Sequence, residues 1–156
     1  GGGDSNLVDA LLDNGYENIW VLDTSEFALE RAKKRLGEKA NRVHWIVSDI
    51  TEFSTDIKFD FWHDRAVFHF LTEQQNIDKY VALINNAIAD NGNFLLGTFS
   101  ENGPLKCSGL EIKQYSENNM RQTFNQSFDT VNCFTENHIT PFNTNQNFQF
   151  CGFKKR

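Results

Sequence analysis

Apolar residues along the 156-residue chain fall into two kinds of run. Leu7, Val8, Leu11 and Leu12 recur at helical spacing, with Asp4 or Ser5 placed to cap the start and Gly15 to stop the helix. The stretch NIWVLD (18–23) is instead continuously apolar and ends in an acid, as a buried strand does. Thr24 and Ser25 offer caps for a helix over Glu26 to Leu36. In it Glu30 and Lys34 stand four apart as an ion pair, and Gly37 closes the last turn. VHWIVSD (43–49) and FDFWHD (59–64) read as two more strands. Helical spacing returns over 74–90, where Tyr80, Val81, Ile84, Ala87 and Ile88 share a face. Asn91-Gly92 then turns the chain into NFLLGTFS (93–100).

Strands that alternate with helices, each strand a continuous apolar run, predict a mostly parallel sheet covered on both faces. The end of the chain breaks that rhythm. After a helix over 117–124, the segments 128–138 and 146–155 are joined by a short Pro-containing loop with no room for a helix, so they should pair antiparallel.

Composition narrows the class. The chain has one domain's length, 39% hydrophobic residues and no run of 18 apolar residues, so no membrane span and no secretory leader is expected. Cys107, Cys133 and Cys151 are odd in number and lack C-x-x-C spacing. That argues against a disulfide framework or a zinc site and suits a reducing cytoplasm. A net charge of −6 disfavours nucleic-acid phosphates and suits a small ligand or a basic protein substrate.

In doubly wound sheets a ligand sits beyond the carboxyl ends of the strands, where a Gly-rich turn meets a helix. The residues at those places are Gly1 to Ser5, Asp23, Asp49, His63, Asp64 and Ser100. Gly3 and Asp23 are 20 residues apart, the interval at which a strand-end acid reaches ribose hydroxyls; Asp49 suits an adenine amino group. A dinucleotide fingerprint fits Gly1 and Gly3 but meets Asn6 where its third glycine belongs. No P-loop is present. Asp23 and Asp49 also suit the plainer role of an acid that merely caps the next helix. His69, in AVFHFL, reads as a hydrogen-bonded core histidine, and His44 as turned outward from its strand. Cys107 reads as an inert loop thiol, and His138 and Tyr115 as pocket candidates.

GGGDS, VLDTSEFALERAKKRL, VSDITEF, FDFWHDRAVFHFL and NGNFLLGTFS, in that order, resemble the successive motifs of class I S-adenosylmethionine-dependent methyltransferases. The resemblance runs over nearly the whole chain. It implies a Rossmann-like, doubly wound α/β sheet of seven strands, mostly parallel with a C-terminal antiparallel hairpin, in one domain over 1–156. The family's first motif begins with an acid and a strand that the sequence lacks, and Ser5 replaces its last glycine. The expectation is therefore of an N-terminal segment of tens of residues carrying the first strand.

By the same resemblance S-adenosyl-L-methionine is the cofactor. Gly1, Gly2, Gly3 and Ser5 would line its methionine part, Asp23 and Thr24 its ribose, and Asp49 and Ile50 its adenine. His63 would contact the cofactor, and His63, Asp64 and Arg65 would form the catalytic group beside the reactive methyl. Asp64 would stabilise or deprotonate an amine and Arg65 clamp a carboxylate. Against this stands a structural role in which Asp64 and Arg65 hold the loop and His63 packs beside Trp62. The acceptor would be a small molecule or a protein side chain; FDFWHDRAVF also broadly resembles lysine methyltransferases that act on elongation factors. A non-catalytic nucleoside-binding module and an NAD-dependent oxidoreductase are the alternatives.

Overall fold

The computed structural model describes every residue from Gly1 to Arg156. Its contacts gather in two compact units, Gly1–Phe53 and Ser54–Arg156.

The first unit runs α1 (Leu7–Asp13), β1 (Ile19–Asp23), α2 (Glu26–Leu36), a 3-10 segment (Gly37–Arg42) and β2 (Val43–Val47). β1 and β2 pair in parallel, from Ile19 opposite Val43 to Asp23 opposite Val47. Val8, Leu12, Ile19, Val21, Leu29, Leu36 and Val43 form one buried cluster, in which the apolar faces of the helices close on those of the strands. α2 has its expected bounds, with Ser25 as N-cap accepting the Ala28 amide at 3.2 Å. Two local expectations shift by a residue or two. Asn6 precedes α1 as its cap, and Glu30 pairs with Lys33 at 2.6 Å rather than with Lys34. Three ion pairs, Arg31–Asp4, Arg35–Asp9 and Lys39–Asp13, run as a ladder from α2 and the segment after it to α1 and the turn before it.

The second unit contains β3 (Phe59–Arg65), α3 (Gln74–Ala87), β4 (Ile88–Phe99), β5 (Lys106–Cys107), β6 (Leu110–Glu111), α4 (Glu117–Phe124), β7 (Phe128–Ile139) and β8 (Asn145–Lys155). Its main sheet has the order β3-β4-β8-β7; β3 and β4 are parallel, the rest antiparallel. Aromatic rings form much of its core. Phe94 meets Phe124 at 5.2 Å and Phe153 at 5.6 Å between centroids, and Met120, Ile84 and Leu96 are fully buried. Each such side chain removed from water contributes about 1.5–3 kcal/mol. α3 ends at Ala87, short of the predicted 90, because Ile88 is already extended and opposite Phe59 on β3. Asn91 takes φ 64° beside Gly92, where a Cβ would meet the Ala89 carbonyl oxygen at 2.8 Å, so the expected turn survives as a bend within β4.

The strands do not form one sheet of seven. They form a two-stranded parallel sheet, a four-stranded mixed sheet and the small β5–β6 ribbon, and half the pairings of the two larger sheets are antiparallel. Apolar continuity identifies strands but not their partners. β1 and β3 each have a neighbour on one side only. No helix is long and apolar enough to cross a membrane.

The cysteines correct the sequence reading. The β7–β8 register sets Cys133 directly opposite Cys151, and the two form a disulfide, leaving Cys107 free. An odd count and linear spacing carry no information about cross-strand register, which is what makes the bond.

His69 lies in the 3-10 turn Phe68–Phe70, its ring between those of Phe70 and Phe99 at 4.7 Å each. Nδ1 accepts the Phe99 amide at 3.3 Å, which assigns the ring proton to Nε2. Nε2 itself has no partner. Burial lowers the His69 pKa to about 4.

Protein unfolded without reductant should show one titratable thiol, and three after reduction. Reduction should also lower the free energy of unfolding by up to about 3 kcal/mol for a loop of this length. Because His69 is neutral in the fold, its contribution is complete above the unfolded pKa of 6.5 and is lost as pH falls toward about 4. At about 1.4 kcal/mol per unit this amounts to about 3 kcal/mol. Urea midpoints measured between pH 7 and 4 should fall less steeply in His69→Phe; the comparison cancels buried Asp64, whose raised pKa acts in the opposite direction.

Candidate active site

The glycine turn fits against the end of β1 with no room for side chains. A Cβ on Gly2 would stand 2.9 Å from Val21 Cγ1, and one on Gly3 would stand 2.5 Å from Ala28 Cβ and 3.1 Å from Asp23 Oδ2. The Gly2 amide donates to the Leu22 carbonyl at 3.1 Å. Asp23 organises the corner: Oδ2 accepts the Gly3 amide at 2.9 Å and Oδ1 the Ser25 amide at 2.8 Å. Its side chain is 15% exposed. A carboxylate accepts about four hydrogen bonds, so two backbone amides leave each oxygen capacity for a vicinal diol. The corner fits a nucleoside: bare main chain on one side, an oriented anion on the other. Thr24 is exposed beside it, and Ser5 uses Oγ to accept the Leu7 amide at 3.1 Å.

Asp49 follows β2 at the same end of the parallel pair. Its Oδ1 accepts both the Thr51 amide and the Thr51 hydroxyl at 2.8 Å, which fixes a tight turn with Ile50 buried within it. The structure thus brings the glycines, Asp23, Asp49 and Ile50 into one unit.

His63, Asp64 and Arg65 end β3 in the other unit, and alternation sends them to opposite faces. The Asp64 carboxylate, expected to face an acceptor, turns inward. Oδ2 accepts the Tyr80 hydroxyl at 2.5 Å and Oδ1 the Val67 amide at 3.0 Å. Burial pushes its pKa above the carboxylate range, against the pull of those donors. Burial also raises Tyr80, reinforced by the charge of Asp64. The pair ties the turn after β3 to α3. A positive φ of 68° at Ala66 marks the same turn. His63 points to the exposed face; partial withdrawal from water and then the charge of Arg65 hold its pKa below the ordinary value.

Arg65 lies on that face as well, its guanidinium 5.6 Å from the centroid of the Phe148 ring. Arg65, Glu136, His138, Phe148 and Phe150 line a small cleft. His138 was legible from sequence as a pocket candidate; Glu136, Phe148 and Phe150 were not, because only strand register sets Phe148 and Phe150 opposite β4 and Glu136 opposite Phe148. Tyr115 is buried under Phe68 at 5.1 Å with its hydroxyl unpartnered, away from the cleft lining. Ser100 is buried and hydrogen-bonded to Asn147. Cys107 is half-buried, and burial raises its thiol, so nothing activates it. His44 is exposed and stacks on Trp20 at 4.1 Å.

A sequence model of a methyltransferase domain matches residues 1–94, across both units. No curated protein matches the chain. Solved structures share its fold. The 1,6-didemethyltoxoflavin-N1-methyltransferase of Burkholderia thailandensis, with bound 1,6-didemethyltoxoflavin and S-adenosylhomocysteine, is 18% identical with a TM-score of 0.76, over 99% of this chain and 68% of that one. A methyltransferase from Methanosarcina mazei is 13% identical with a TM-score of 0.77, over 99% and 89%. The N-methyltransferase NodS of Bradyrhizobium japonicum is 17% identical with a TM-score of 0.71, over 88% and 73%. With the family model covering more than half its length, the chain belongs to the methyltransferase-domain family of class I S-adenosylmethionine-dependent enzymes.

Proposed function

We propose that this protein transfers a methyl group from S-adenosylmethionine to a small-molecule acceptor. The observation that carries the reading is the Asp23 corner, where a carboxylate oriented by two amides meets glycines that no side chain can replace. Asp23 holds the ribose hydroxyls, with Thr24 beside it. Gly1, Gly2, Gly3 and Ser5 line the methionine portion, and Asp49 and Ile50 frame the adenine.

When bound, the cofactor supplies a methyl group already activated by its sulfonium. The chain's own work is to position the acceptor and keep water out. His63 and Arg65, on the exposed face at the end of β3, contact the acceptor. Asp64 acts as a positioning residue: its hydrogen bonds with Tyr80 and Val67 set the turn after β3. NodS and the Burkholderia enzyme are both named as N-methyltransferases, the latter with 1,6-didemethyltoxoflavin bound, which supports a small acceptor. The net charge of −6 supports a basic protein substrate as the second reading. The chain is read as one domain over residues 1–156.

Titration calorimetry with S-adenosylhomocysteine should give affinity at least tenfold weaker in Asp23→Ala, the scale of one lost hydrogen bond to a charged group. Gly3→Ala, with its Cβ 2.5 Å from Ala28, should abolish binding. Unchanged affinity in Asp23→Ala, or stabilisation by NAD in place of S-adenosylhomocysteine, would refute the assignment.

A further inference from the structure

The cleft at the end of β3 has a floor and two charged rims. Residues directly opposite each other on neighbouring strands point to the same face. Arg65, Gly97, Phe150 and Phe134 therefore make one row across the sheet, and Phe99, Phe148 and Glu136 the next. The Phe150 ring occupies the space a side chain at 97 would need: a Cβ there would be 2.4 Å from Cε1. Phe134 and Phe150 stack at 5.3 Å and 18°, and Phe148 and Phe150 at 5.7 Å and 25°. The three rings form one stacked aromatic row, in which Phe134 is still 46% exposed.

The rims carry opposite charges that the protein leaves uncombined. Arg65 lies over Phe148 as a cation on a ring, and none of its five N–H donors meets a carboxylate. Glu136, on the β7 side, has neither a hydrogen bond nor an ion pair. His138 adds an imidazole 6.4 Å from Phe148 between ring centroids. A guanidinium and a carboxylate facing the same small cleft usually join; here an aromatic floor separates them.

We infer that the Arg65–Glu136 cleft binds a planar aromatic or heteroaromatic acid, with its anionic group on Arg65, its ring against Phe148 and Phe150, and a ring N–H or O–H donating to Glu136. This rests on the methyltransferase reading in so far as the bound acid is the methyl acceptor. The binding itself stands on the cleft alone. Arg65 suits a carboxylate because its planar fork donates two parallel hydrogen bonds, and the aromatic row favours an aromatic ring, through edge-to-face or offset contacts, over a saturated one.

Indole-3-carboxylate, indole and cyclohexanecarboxylate serve as probes in NMR titrations of the full-length protein. Indole-3-carboxylate should bind saturably and at least fivefold more tightly than either of the others. Arg65→Gln, an exposed change that leaves the fold intact, should weaken it at least fivefold, Glu136→Gln at least twofold, and Val131→Ser, at an exposed site, not at all. Absence of saturable binding, equal binding of cyclohexanecarboxylate, or an unchanged affinity in Arg65→Gln each overturns the inference. S-adenosylhomocysteine titrated into the same samples separates the two readings. If it binds while the acid does not, the cleft assignment alone fails. If the acid binds while it does not, the cleft stands and the methyltransferase assignment fails.

Discussion

The corner at Asp23 depends on one shared carboxylate. Its two oxygens each take an amide, one from the glycine turn and one from the start of α2, so a single side chain ties three pieces of backbone together at the carboxyl end of a strand. The arrangement leaves the anion oriented before any ligand arrives. Preorganised acceptors bind more effectively than flexible ones because their ordering cost is met during folding. The glycines matter for the same reason. Their lack of side chains is demanded first by Val21 and Ala28, so the turn has its shape whether or not a cofactor is present.

Asp64 shows how a strand-end acid can have the opposite fate. Asp23 meets main-chain donors near the surface, whereas Asp64 meets a buried phenol and has its pKa driven upward. Both follow an apolar strand and precede a turn, and nothing in their immediate sequence separates them. The difference lies in α3, which brings Tyr80 over the end of β3. On the other face of the same strand end, His63 and Arg65 reach solvent.

Local structure was legible wherever residue spacing alone decides it. α2 has the bounds its caps predict, α4 has its expected bounds, and the C-terminal hairpin follows from the absence of any crossover helix. Pairing across the chain was not legible. The division into a two-stranded and a four-stranded sheet, the Cys133–Cys151 bond and the five residues of the cleft all depend on register. Apolar runs identify which segments extend; they do not say which residue will stand opposite which. The Asp23 corner was readable as a geometric unit because its parts lie close in sequence or at a known interval. Of the cleft lining only Arg65 and His138 stood out, since Glu136 and the two phenylalanines look like ordinary strand residues.

The ladder of Arg31–Asp4, Arg35–Asp9 and Lys39–Asp13 bears on how the glycine turn behaves in solution. Asp4 stands immediately after Gly3, and Arg35 also donates to the Ser5 carbonyl, so the flank of the turn is held by charges open to water. Dissolved ions weaken such attractions over roughly 10 Å at 0.1 M. Ionic strength therefore acts on the shape of the glycine turn itself. The salinity of the surroundings is in this way coupled to the backbone geometry around Asp23, through charges on the outer flank of the turn.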